Sequence, residues 1–173
     1  MVFCSHQSRR NLLIAGRTNS GKSLLAYLVL LRSSLTGGRV LLLEPLQEIA
    51  QEKFDELESL TEELQKLLLR KIGVRIMTAD YRLNEETKQS PPPDEGEIVI
   101  ATAERIEDIL RNPDFDKRIA SFRAVCVDDA HLLADPVRGA KLEYVVTSFS
   151  TVPVAPRLVL LSATLSDVIP LVK

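Results

Sequence analysis

Leu12-Leu13-Ile14-Ala15-Gly16-Arg17-Thr18-Asn19-Ser20-Gly21-Lys22-Ser23 is the stretch that decides the fold. Apolar residues come first, then a turn matching Gly-x-x-x-x-Gly-Lys-Ser, then a helical pattern from Lys22 to Leu35 that Gly37-Gly38 ends. A strand that passes into a helix through such a turn aims successive backbone N–H groups at an anion, and the helix dipole favours negative charge there. Main-chain groups of Thr18, Asn19, Ser20, Gly21, Lys22 and Ser23 are therefore expected to converge on nucleotide phosphates. Ser20 and Gly21 are small where the chain must curl. Lys22 is expected to reach the β- and γ-phosphates as a point charge, and the Ser23 hydroxyl to coordinate Mg²⁺. The loop alone does not choose among kinases, GTPases, transporters and helicases.

Outward from this loop, continuous apolar runs recur at Val40 to Leu43, Ile98 to Ala101, Ala124 to Val127 and Leu158 to Leu161, with Val74 to Met77 a weaker one. They do not alternate with polar residues, so they read as strands buried on both faces. Between them, Leu46 to Arg70, Ala103 to Leu110 and Arg138 to Phe149 place apolar residues at helical spacing. Strand and helix alternate throughout. The expected fold class is α/β: a mainly parallel sheet covered by helices on both faces, with ligands beyond the carboxyl ends of its strands. The segment from Asn84 to Gly96, with its triple proline, reads as an exposed loop, and Lys66, Arg70, Lys71 and Arg75 read as a solvated helix end.

A chain of 173 residues, 45% hydrophobic and 27% charged, fits one domain with a sizeable core and lies outside the disordered and fibrous classes. Its net charge of −2 supplies no global field for nucleic acid, so any such contact must come from local donors. Cys4 and Cys126 are too few and too far apart for a disulfide framework or a zinc site. No apolar run reaches the ~20 residues of a membrane span, and nothing resembles a secretory core, so the expected location is intracellular, with no membrane partner.

Two further strand ends carry chemistry. Asp128 follows Val127 at the tip of a buried run, where a carboxylate can hold the water shell of Mg²⁺. Asp129 beside it could polarise an attacking water, and the His131 imidazole could hydrogen-bond groups that move when phosphate leaves. The last run ends in Ser162-Ala163-Thr164, whose hydroxyls can bridge across the sheet end.

Taken in order, Gly16 to Ser23, Asp128-Asp129-Ala130-His131 and Ser162-Ala163-Thr164 resemble the phosphate loop, DExH box and third motif of superfamily 2 helicases. Further stretches are similar to the Ski-like branch, which includes repair DNA helicases and RNA helicases. Glu44 to Lys53 resembles its motif Ia, Thr78-Ala79-Asp80-Tyr81 its Thr-Gly-Asp element, and Thr102-Ala103-Glu104-Arg105 its Thr-Pro-Glu-Arg motif. Arg138-Gly139 with Leu142-Glu143 resembles the segment after the box.

The resemblance implies a three-layer RecA-like domain spanning residues 1–173, using ATP and Mg²⁺, with Lys22, Asp128, Asp129 and His131 as catalytic residues. Ser23 and Asp128 would serve the metal, and Ser162 and Thr164 would couple hydrolysis to motion. Pro45, Leu46, Thr78, Thr102, Glu104 and Arg105 would grip the backbone of single-stranded DNA or RNA.

The sequence departs from the family where Asp129 replaces the usual Glu, which retracts a carboxylate by about 1 Å and predicts slow hydrolysis. Asn19 replaces a small residue, and adenine preference is implied by the family alone, because no upstream glutamine motif is present. These departures motivate a second reading, a non-catalytic helicase-like module that binds nucleotide or a partner. A phosphate-loop enzyme of another class is opposed by the helicase motifs. The resemblance also implies a second RecA-like domain, supplying arginine fingers, which the chain is expected to lack; alone it should not unwind nucleic acid.

Overall fold

Burial on both sides turns the apolar runs into a six-stranded, wholly parallel sheet. The structure, a computed structural model, describes residues 11–17, 20–78, 95–111 and 121–163. Its strands are β1 (Leu12–Ala15), β2 (Gly38–Glu44), β3 (Ile72–Met77), β4 (Gly96–Thr102), β5 (Phe122–Val127) and β6 (Arg157–Ser162), arranged β1-β6-β5-β2-β4-β3. The helices are α1 (Lys22–Leu35), α2 (Gln47–Leu68), α3 (Ala103–Leu110) and α4 (Gly139–Thr151).

The two-residue period of the strands divides the core. Val40, Leu42, Ile98, Ile100 and Cys126 pack with Ala26, Leu30, Ala50 and Leu57 of α1 and α2. Leu41, Leu43, Val99, Val125 and Val127 pack with Ile106, Leu110, Leu142, Val145 and Phe149 of α3 and α4. The three-layer α/β architecture is the expected one. Cys126 is a buried free thiol in the first of these layers. Before α4, Asp135 Oδ1 accepts from the N–H of Val137 at 2.8 Å and of Arg138 at 2.9 Å, so a side chain guides the chain into the helix.

At the amino ends of the strands, the structure corrects two expectations. Gly96 is not loop but the first residue of β4, lying against the main-chain carbonyl of Ser34 where no side chain fits. Arg75 is not part of a helix end. It lies on β3 and pairs with Glu97 at 2.9 Å, while Arg39 of β2 pairs with the other oxygen of the same carboxylate. Lys71 meets Glu95 at 3.8 Å, and Arg70 donates to the Leu35 carbonyl. Arg75 is thus held within the sheet, whereas Lys66, Arg70 and Lys71 stay exposed, as expected. Thr18, Asn19, Ala79-Asp80-Tyr81, Thr164, Cys4 and residues 84–94 of the expected loop lie outside the described residues.

Candidate nucleotide site

Because all pairings are parallel, Gly16, Glu44, Thr102, Asp128 and Ser162 come to one edge of the sheet. The loop after β1 is tied to it by the Gly16 N–H, which donates to the Ser162 carbonyl at 3.1 Å. A methyl group at Gly16 would lie 2.7 Å from Ser20 Oγ, which would have to rotate aside. Gly21 caps α1 at φ 79°, a left-handed conformation that glycine adopts without strain, and its carbonyl accepts from the Leu25 N–H at 3.3 Å. Lys22 folds back over the loop: its Nζ donates to the carbonyls of Gly16 at 2.7 Å and Arg17 at 2.8 Å. Neutral carbonyls are weaker partners for an ammonium than phosphate oxygens, so a polyphosphate can displace them at a gain.

Asp128 continues the β5–β2 ladder one step past the strand, its N–H donating to the Leu43 carbonyl at 3.0 Å. Its Oδ1 accepts from the Asp129 N–H at 2.8 Å, and Asp129 takes a left-handed backbone at φ 48°. That turn carries the Asp129 side chain outward, 43% exposed, with Oδ1 3.8 Å from Nδ1 of His131 in the 3-10 turn Ala130–Ala134. Burial raises the Asp128 pKa from its ordinary value, while the Asp129 N–H and the charges of Lys53 and Lys22 oppose the rise. The loop lysine thus favours the ionised form of the strand-tip carboxylate.

Glu44 also lies at this edge, in a setting that the sequence alone does not reveal. It is 2% exposed, and neither carboxylate oxygen has a hydrogen-bond partner among the described residues. Burial first, then the charge of Asp128, push its pKa up to about 8, against the pull of Lys53. Lys53 itself pairs with Glu56 at 3.2 Å and lies 5.6 Å from the centre of the Tyr27 ring, whose hydroxyl donates to Glu56. The signal available in sequence was a carboxylate closing an otherwise apolar run.

A pH dependence follows. Glu44 has a folded pKa above its unfolded value of 4.5, so its contribution is fully present below pH 4.5 and is lost as pH rises through about 8. Stability is expected to fall by on the order of 4 kcal/mol across that window relative to Glu44→Gln, as read by urea unfolding at several pH values. Parallel pH profiles for the two proteins would refute it.

Across the sheet edge, on the side of α3 and α4, a cleft is lined by Glu44, Pro45, Glu104, Asp128, Arg138 and Leu142, among others. This brings together Pro45 and Glu104 from the expected backbone-gripping set. Leu46 is exposed at the start of α2, whereas the side chains of Thr78 and Thr102 are buried, which leaves their main-chain groups for any contact. Arg105 turns toward Asp108 at 3.9 Å, with a buried Nε that has no hydrogen-bond partner among the described residues.

The ordered path from phosphate loop to box to third motif has a counterpart in known proteins. Residues 2–171 match the DEAD/DEAH box helicase family. The chain belongs to that family. Among similar proteins, the ATP-dependent DNA helicase Hel308 of Methanocella arvoryzae is 32% identical over 160 residues, covering 91% of this chain and 20% of the relative. The Hel308 of Pyrococcus horikoshii is 35% identical over 138 residues, covering 79% and 17%, and that of Aeropyrum pernix is 32% identical over 159 residues, covering 91% and 19%. This DEAD/DEAH box domain therefore spans about a fifth of the length of these relatives. Among its described residues, no helix is long and apolar enough to cross a membrane.

The donor set of the DEAD/DEAH box site fits a nucleotide and its magnesium ion. Gly16 and Gly21 leave the loop free of side chains where phosphates would approach, and Ser23 opens α1 beside Lys22. One hydroxyl and one strand-tip carboxylate suit Mg²⁺, which keeps most of its waters and takes further oxygens from the phosphates.

Proposed function

We propose that this chain is the ATP-binding half of a Ski-like helicase motor that couples MgATP hydrolysis to movement along nucleic acid. The observation that carries the reading is that the loop bearing Lys22 and the strand-tip Asp128 meet at one carboxyl edge of the sheet, Gly16 donating to Ser162 of β6 and Asp128 to Leu43 of β2. Lys22 leaves its loop carbonyls to meet the β- and γ-phosphates, with main-chain N–H groups of residues 18–23 cradling them. Ser23 and Asp128 hold the metal, which when bound neutralises charge developing on the transferred phosphoryl group. Asp129 orients the attacking water, and His131 with Ser162 and Thr164 relays the loss of phosphate. Pro45, Leu46, Thr78, Thr102, Glu104 and Arg105 grip the strand, and a second RecA-like domain of the full-length protein supplies arginine fingers.

DNA is the strand we favour, since the similar proteins are named as DNA helicases. The test is ATP turnover by the full-length protein with single-stranded DNA, with RNA and with neither, alongside Asp129→Glu. Stimulation by DNA is expected, with a rise of up to about 100-fold in the variant if the shorter carboxylate limits the rate. Nucleotide binding without turnover in either protein would favour the alternative, a non-catalytic module. That alternative draws support from the outward-facing, shortened Asp129.

A further inference from the structure

We propose that Glu44 is a positioning residue for the nucleotide's magnesium ion: its carboxylate accepts hydrogen bonds from metal-bound water on the side of Asp128 away from the phosphate loop. The inference deepens the nucleotide-site reading and rests on it.

Strand order and register place the groups. β5 stands between β6, beside the loop-bearing β1, and β2, so Asp128 has the loop on one side and Glu44 on the other. Leu43 pairs with Val127, which sets Glu44 next to Asp128 at the following step. Both share the parity of Val40, Leu42, Ala124 and Cys126, whose side chains pack on the α1 and α2 face, and α1 begins with Lys22.

Glu44 is a buried carboxyl group without a partner: neither oxygen has a hydrogen bond among the described residues, and the side chain is almost wholly buried. A carboxylate removed from water without donors is strongly destabilising unless a ligand brings them. Lys53, whose charge acts on both Glu44 and Asp128, makes its ion pair with Glu56 at 3.2 Å instead. Waters on Mg²⁺ are strong donors because the ion polarises them, and Ser23 with Asp128 leaves most of them for other acceptors. A phosphate oxygen, in contrast, brings no hydrogen for Glu44 to accept. The donor it suits is therefore the hydrated cation and not the polyphosphate.

The test is Mn²⁺ binding to the ADP-loaded protein, followed by electron paramagnetic resonance, with ADP affinity measured separately in the absence of metal. Glu44→Gln is expected to weaken Mn²⁺ binding about tenfold or more, as loss of a partner to a metal's own ligands does. Metal-free ADP affinity, which the carboxylate does not touch, should stay at the native value. Glu44→Asp keeps the charge but retracts it, and is expected to weaken Mn²⁺ binding by less; it decides the matter if the Gln variant does not fold. Native Mn²⁺ affinity in a folded variant, with ADP binding intact, would overturn the role of Glu44 alone. Failure of the native protein to bind ADP would overturn it together with the nucleotide site.

Discussion

Replacing Lys22 with alanine is expected to weaken MgADP binding about 100-fold, as measured by titration calorimetry, without loss of the fold. The magnitude follows from hydrogen bonds to charged groups, worth about 1.5–3 kcal/mol each, of which an ammonium facing a diphosphate makes at least one. The fold should survive, because among the described residues Lys22 Nζ bonds the carbonyls of Gly16 and Arg17, which water can satisfy in its absence. Asp128 would lose one of the charges that oppose its raised pKa, and should become harder to ionise in the variant. An Lys22→Ala protein with native MgADP affinity would mean that the loop does not seat phosphate.

The largest effect on stability is expected at the other end of the sheet. Glu97→Ala should destabilise the protein by about 3–5 kcal/mol in urea unfolding, because it strips the carboxylate from two arginines at once. Arg39 and Glu97 are both largely buried, directly opposite each other in the β2–β4 register, and Arg75 reaches the same carboxylate from β3 at 2.9 Å. Arg39 also lies 5.8 Å from the centre of the Phe122 ring, a contact that cannot replace an anion. At ~3.3 Å per residue, β4 puts this cluster roughly 20 Å from the nucleotide edge. The folded fraction of Glu97→Ala should therefore bind MgADP like the native protein, and a loss of less than about 1 kcal/mol would show that the triad contributes little.

Strand positions were legible wherever burial on both faces leaves an uninterrupted apolar run, as at Val40 to Leu43 and Ala124 to Val127. The ends of β2 and β4 were not, because Arg39, Glu44 and Glu97 look like surface residues until their partners across the sheet are known. Gly96 looks like loop for the same reason: what makes it strand is its pairing with Gly38 and Ile72, and what makes it glycine is the close approach of Ser34. Arg75 was placed with its basic neighbours, since sequence shows charge but not that Glu97 answers it.

In the site, the phosphate loop and Asp128 were readable because each is a local signal at the end of a strand. The row of Tyr27, Glu44, Lys53 and Glu56 is assembled from α1, β2 and α2, and only the folded chain brings it beside Asp128. Composition could not distinguish Glu44 from the many solvated glutamates of α2.

A crystal structure of the protein with ADP and magnesium tests the central claim most directly. The diphosphate should lie against the main-chain N–H groups between Gly16 and Ser23, with Lys22 Nζ moved from the Gly16 and Arg17 carbonyls onto phosphate oxygen and the ion facing Asp128. Nucleotide bound elsewhere, or Lys22 still resting on those two carbonyls in a nucleotide-saturated crystal, would contradict the account.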